Sequence, residues 1–216
     1  MNLKFVVIFL ISSTAFTQSV EDILRKEVCI CLKEQFFSEM KSFKCYESLA
    51  KNYPDELDEY ELEETKNGSE LIEGDIFNHL FLKNQLYYFK NCGQYFQTVK
   101  LAHDGTIRLS LESAKTDSIE KLNKYIDEYE FNSYFIQERG VLYLKEGNYE
   151  LALKDFNHLL IEDSTNSIVL YLKAVSLEKS GNYGMAAEYY LRAYQTSYNQ
   201  RYRIASELMR FLETKN

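Results

Sequence analysis

The sequence predicts an all-α protein, a solenoid of helical hairpins preceded by a helical region stapled by disulfides, with one small β-hairpin left open as an alternative. Three observations predict it. The pattern Gly147-Asn148-Tyr149-Glu150-Leu151-Ala152 returns further along the chain as Gly181-Asn182-Tyr183-Gly184-Met185-Ala186. Apolar residues recur every three or four positions over much of the chain, the period of an amphipathic helix. One proline and eight glycines in 216 residues leave few helix breakers.

The chain opens with Lys4 ahead of a short apolar run, residues 5–11, followed by Ser12, Ser13, Thr14 and Ala15. This is the layout of a secretory signal peptide over residues 1–17, with cleavage after Thr17 and Ala15 at the −3 position. The run is short for a bilayer, so the expectation is an exported protein, periplasmic or secreted, with no stable membrane span after cleavage. A formal charge of −8 without any basic cluster argues against nucleic acid as a partner. Tryptophan is absent, so aromatic packing falls to 18 tyrosines and 14 phenylalanines.

Residues 18–113 form the Cys-containing region. Val20, Ile23, Leu24, Val28, Cys31, Leu32 and Phe36 mark a first helix, and Met40, Phe43, Tyr46 and Leu49 a second that ends at Asn52-Tyr53-Pro54. Asp55 to Asp75 is acidic and loosely patterned, and reads as a solvated, mobile connection; it lacks the spacing of a calcium loop. Asn67-Gly68-Ser69 marks its turn. Phe77, Leu80, Phe81, Leu86, Tyr87, Phe89, Tyr95 and Phe96 predict one aromatic-rich helix from Ile76 to Phe96. Val99 to Leu111 has two readings: alternation around Asp104-Gly105 gives the β-hairpin, and a continued helix is the other. Thr116 or Asp117 then caps a helix through Tyr129, with Ile119, Leu122, Tyr125, Ile126 and Tyr129 turned inward.

Cys29, Cys31, Cys45 and Cys92 read as two disulfides in an exported chain. Cys29 and Cys31 stand two apart on one helix and are poorly placed to bond each other. Each therefore reaches Cys45 or Cys92, which leaves two connectivities. Cys31 shares the face of Leu24 and Val28 and is expected to be the more buried. The sharper alternative is a thiol-disulfide redox or folding factor acting through Cys29/Cys31, although such dithiols usually sit at a helix N-terminus. His79, His103 and His158 are scattered, and no nucleophile elbow or phosphate-binding loop occurs. No catalytic residue, cofactor or metal is assigned, and the chain is not expected to be an enzyme.

Residues 114–216 hold the repeated part, with units at 133–166 and 167–200 and a capping helix at 201–214. Counting from Ser133 and Ser167, small residues fall at position 8 (Gly140, Ala174) and position 20 (Ala152, Ala186). Large residues fall at position 11 (Tyr143, Leu177), aromatics at position 24 (Phe156, Tyr190), and a Gly-x-Tyr turn links the helices of each unit. A 34-residue helix-turn-helix unit with these residues resembles the tetratricopeptide repeat (TPR) family, over the C-terminal half only. The sequence departs from that pattern at position 32, where Ser164 and Tyr198 replace the usual proline, and at position 4, where Ile136 and Leu170 replace an aromatic. Ile204, Leu208 and Phe211 hold positions 4, 8 and 11 of the capping helix.

The resemblance implies a protein–protein interaction module or scaffold whose first helices line a groove through positions 2, 5, 9, 12 and 13. These are Tyr134, Gln137, Val141, Leu144 and Lys145 in the first unit. They are Ile168, Tyr171, Val175, Glu178 and Lys179 in the second, with Tyr202, Ala205 and Met209 from the cap. The expected groove is apolar and tyrosine-rich and takes a protein or peptide partner. The alternative is that the chain's own N-terminal helices fill it.

Overall fold

Ser133 and Ser167 each begin a 13-residue helix, and Tyr149 and Tyr183 each begin the helix that returns against it, so the repeat of the sequence is also the repeat of the structure. The computed structural model describes residues 19–34, 39–68, 76–112, 118–129 and 132–215. The expected signal peptide lies outside them. The described residues form helices and no strands: α1 (Val20–Glu34), α2 (Glu39–Asn52), α3 (Pro54–Lys66), α4 (Ile76–Lys83), α5 (Gln85–Asn91), α6 (Gly93–Glu112), α7 (Ile119–Glu128), α8 (Ser133–Lys145), α9 (Tyr149–Glu162), α10 (Ser167–Lys179), α11 (Tyr183–Ser197) and α12 (Gln200–Glu213).

The N-terminal region differs from its sequence reading in two places, and at Val99 to Leu111, where a β-hairpin and a continued helix are both open in the sequence, it takes the helix. Asp55 to Lys66 is helix rather than a solvated connection. Pro54 occupies the first turn with Asp55 and Glu56, where a missing N–H costs nothing and carboxylates meet the positive end of the helix dipole. Leu57, Tyr60 and Glu64 form its buried stripe, hidden in sequence among outward carboxylates. The aromatic segment is three helices, not one, because the backbone leaves helical geometry at Asn84 and again at Cys92. There is no β-hairpin at Asp104-Gly105: α6 runs straight through, burying Val99 and Ile107 and leaving Leu101 and Leu109 in solvent. A mid-helix glycine costs about 1 kcal/mol relative to alanine, which this burial offsets.

The disulfides are Cys29–Cys92 and Cys31–Cys45. The first ties α1 to the break between α5 and α6; the second ties α1 to α2. Cys29 is buried and Cys31 only partly so, the reverse of the expectation, because the Cys29 side of α1 faces α5 and α6. Loops with separations of 63 and 14 residues restrict the unfolded chain by about 4 and 3 kcal/mol in the chain-entropy picture.

In the C-terminal half each helix lies against the next from α7 to α12. Thr116 and Asp117 lie outside the described residues, and the observed cap of α7 is Ser118, whose hydroxyl accepts from Lys121 N–H at 3.2 Å. Leu122 is buried as expected, but Tyr129 is exposed, on a ladder of rings with Tyr125 and Phe135. Gly147 and Gly181 end the first helix of each unit at φ 79° and 83°. Asn148 N–H donates to Tyr143 at 2.8 Å, and Asn182 N–H to Leu177 at 2.8 Å, so both turns close with the same bond. α8 and α9 approach so closely that a Cβ on Gly140 would stand 2.7 Å from Phe156 Cε1.

Gly140→Ala is therefore expected to destabilise the chain by about 1–3 kcal/mol through displacement of the Phe156 ring. An unchanged urea midpoint would contradict the close crossing. Tyr198, exposed and at φ 55°, ends α11 in the left-handed region. Tyr198→Gly should raise the urea midpoint, by about 0.5–1 kcal/mol of stability, by relieving that conformation. A lower midpoint would mean that the Tyr194–Tyr198 ring contact outweighs the strain.

Candidate functional site

The residues expected to line a groove fall into two groups. Val141, Leu144, Tyr171, Val175 and Met209 are buried. Tyr134 and Ile168 are exposed, at 46% and 56%, while Gln137 and Tyr202 are half-buried. Tyr171 and Val175 of this group lie on α10, where every residue from Val169 to Glu178 is out of solvent.

Part of that cover is α6, the chain's own helix. Three of its side chains, evenly spaced along the sequence, reach the repeats. Phe96 meets Phe211 of α12 edge to face, with centroids 5.2 Å apart. His103 Nε2 lies 2.8 Å from Glu178 Oε2. The Ser110 and Tyr171 hydroxyls are 3.5 Å apart. Tyr171 and Glu178 are positions 5 and 12, which the resemblance turns toward a partner; α6 now takes that place. Tyr171 also stacks on Tyr202 at 5.0 Å. Alongside α6, α5 packs on α12, where Phe89 meets Phe211.

Glu178 is the polar centre of this interface. Tyr190 donates its hydroxyl to Glu178 Oε2 at 2.7 Å, and the His103 ring meets the Tyr190 ring edge to face at 5.5 Å. Burial pushes the Tyr190 hydroxyl well above its ordinary range, and the Glu178 carboxylate pushes it further. In the first unit the equivalent positions are Leu144 and Phe156, so this socket belongs to the second unit alone.

A second pairing recurs in both units with changed chemistry. Arg139 donates from Nε and a terminal nitrogen to both Asp155 oxygens, at 2.9 and 2.7 Å, and from the other terminal nitrogen to Asn123 at 2.7 Å. The Asp155 bonds raise the guanidinium's pKa. Lys173 and Tyr189 hold the same two positions in the second unit, and Lys173 Nζ donates to the Tyr189 hydroxyl at 2.6 Å. These ties hold the two helices of each unit together. Sequence reading passed over them, although charged residues at matching positions of a repeat were the available signal.

Two clefts open on the repeats. One of about 380 Å³ surrounds the Arg139–Asp155 pair and is lined also by Asn123, Asp127, Tyr143, Leu151 and Lys154. Its guanidinium is already committed to Asp155 and Asn123. The other, about 460 Å³, lies at the exposed end of the expected groove, lined by Ser133, Tyr134, Gln137, Leu159, Glu162, Asp163, Asn166 and Val169. Among the described residues no cluster of His, Cys, Asp and Glu is arranged for a metal, and no helix is long and apolar enough to cross a membrane. None of the four cysteines is free, and Cys29 and Cys31 sit mid-helix bonded to different partners. Two disulfides fit an oxidising compartment.

The geometry defines an all-α, disulfide-stapled chain whose repeats are partly covered by its own N-terminal region. No protein-family model matches it, and neither does any curated protein or solved structure.

Burial also raises the pKa of Tyr95, as it does that of Tyr190. An unfolded tyrosine ionises near pH ~10, so the stability these two carry is complete below that pH and falls as pH rises above it. Phenolate absorbance should show a late set of tyrosines ionising together with loss of helical circular dichroism. Complete titration near pH ~10 with the helices intact would contradict their burial.

Proposed function

We propose that this chain is an exported protein–protein interaction module of the tetratricopeptide-repeat type. The observation that carries the reading is the recurrence, in register, of helix starts, of the glycine turn and of its closing hydrogen bond. Two disulfides and the leader-like stretch from Met1 to Thr17 support export. A partner has access at the open end of the first-helix face, where Tyr134 and Ile168 offer apolar area and Gln137 offers an amide beside the 460 Å³ cleft. Tyrosine suits such a surface, since it gives large contact area for few rotatable bonds.

The test is capture from the exported fraction of the native host by the oxidised chain, compared with Tyr134→Asp/Ile168→Asp. Both positions are exposed, so the double variant should keep its circular dichroism while losing about tenfold or more in capture of the partner. Equal capture by the two chains would remove the function from this face. Expressed with its leader in an exporting host, the chain should begin at Gln18; a mature chain that still begins at Met1 would overturn the export reading.

A further inference from the structure

We propose that α6 is an exchangeable internal ligand of the repeats, and that the surface beneath it recognises an amphipathic helix with an aromatic, a histidine and a small hydroxyl side chain at successive heptad intervals. The proposal rests on the interaction-module reading and names the partner chemistry of its covered face. Phe96, His103 and Ser110 form the stripe, and Val99 and Ile107 fill the turns between them. A heptad is nearly two helical turns, so these side chains project along one side of a straight helix.

The socket is selective. Glu178 and Tyr190 replace the Leu144 and Phe156 of the first unit, so one polar pair stands in an otherwise apolar surface. A buried carboxylate needs a donor opposite it, and only a helix in one register brings His103 there. An apolar helix slipped by one turn would leave Glu178 with Tyr190 alone.

The helix is also built to leave. Gly105 at its centre lowers its intrinsic helicity, and its outer face carries Leu101 and Leu109 at 71% and 62% exposure. Cys92, at φ −112° and ψ 74°, separates it from α5, and the Cys29–Cys92 bond keeps that pivot anchored on α1. α5 on α12 can therefore hold the two halves together while α6 exchanges. An incoming helix then competes with α6, and its apparent affinity falls by the fraction of time α6 is seated.

The experiment uses the full oxidised chain and a labelled synthetic peptide of residues 93–112, read by fluorescence anisotropy. The wild-type chain should bind the peptide weakly and saturably. The His103→Ala chain, whose own α6 has lost its anchor, should bind it about tenfold more tightly. A peptide carrying His103→Ala should lose about tenfold, and one carrying Leu101→Gln/Leu109→Gln should bind as the unaltered peptide does. Equal affinity for the two chains, dependence on the outer leucines, or no saturable binding to either would overturn the proposal. Hydrogen exchange on the wild-type chain gives a second reading that needs no variant: α6 amides should exchange faster than those of α1 and α10, and equal protection would overturn it. Capture that depends on Tyr134 and Ile168 would survive such a failure, so the two readings fall separately.

Discussion

The rest of the structure depends on the enclosure of α10. A helix that is apolar around its whole circumference cannot lie on a surface, because any open side would leave a stripe of Val, Leu and Tyr in water. From Val169 to Leu177 its sequence offers only Lys173 and Ser176 as polar breaks, and Lys173 is tied to Tyr189. The second helices α9 and α11 cover part of it, α8 lies on its flank, and Tyr202 of α12 stacks on its Tyr171. The side bearing Tyr171, Val175 and Glu178 still needs a neighbour. α6 reaches into that place through His103 and Ser110, and α5 packed on α12 joins the Cys-containing region to the repeats.

This explains why the repeats were legible in the sequence and the occupant was not. Gly140, Gly147, Ala152 and their counterparts in the second unit are fixed by close approach and by positive φ, constraints local enough to read from residue type. The direction in which positions 5 and 12 face was equally readable. What meets them is a matter of tertiary packing, and α6 gave a mixed signal because Leu101, Leu109 and Leu111 mimic the alternation of a strand around Asp104-Gly105. Helical spacing of Val99, His103, Ile107 and Ser110 was the competing pattern, and burial decided for it. The apolar residues on every side of α10 were the overlooked sign that the groove could not stay empty.

The N-terminal region was harder to read for a related reason. Its helices are held by particular side chains rather than by a repeated pattern. Tyr95 donates to Gln85, and Glu64 takes both His79 and Lys83, each a tie between two neighbouring helices. Glu64 looked like one more solvated carboxylate in an acidic run, yet it lies on the stripe of Leu57 and Tyr60 and is buried. The cysteines bounded the pairing to two possibilities, and only the path of α5 past α1 chooses Cys92 for Cys29.

The two units are most informative where they differ. Arg139–Asp155 and Lys173–Tyr189 make the same tie with different groups, so that exchange reflects tolerance within a unit. Leu144 to Glu178 and Phe156 to Tyr190 are another matter. A carboxylate and a phenol replace two apolar groups in the interior, at a desolvation cost that only a matched donor offsets. His103 is that donor, and it arrives from a helix far earlier in the chain. The first unit, whose matching positions are apolar, imposes no such demand and leaves Tyr134 exposed at its end. The two units thus share one helical frame and differ at one pair of side chains, apolar in the first and hydrogen-bonded to each other and to α6 in the second.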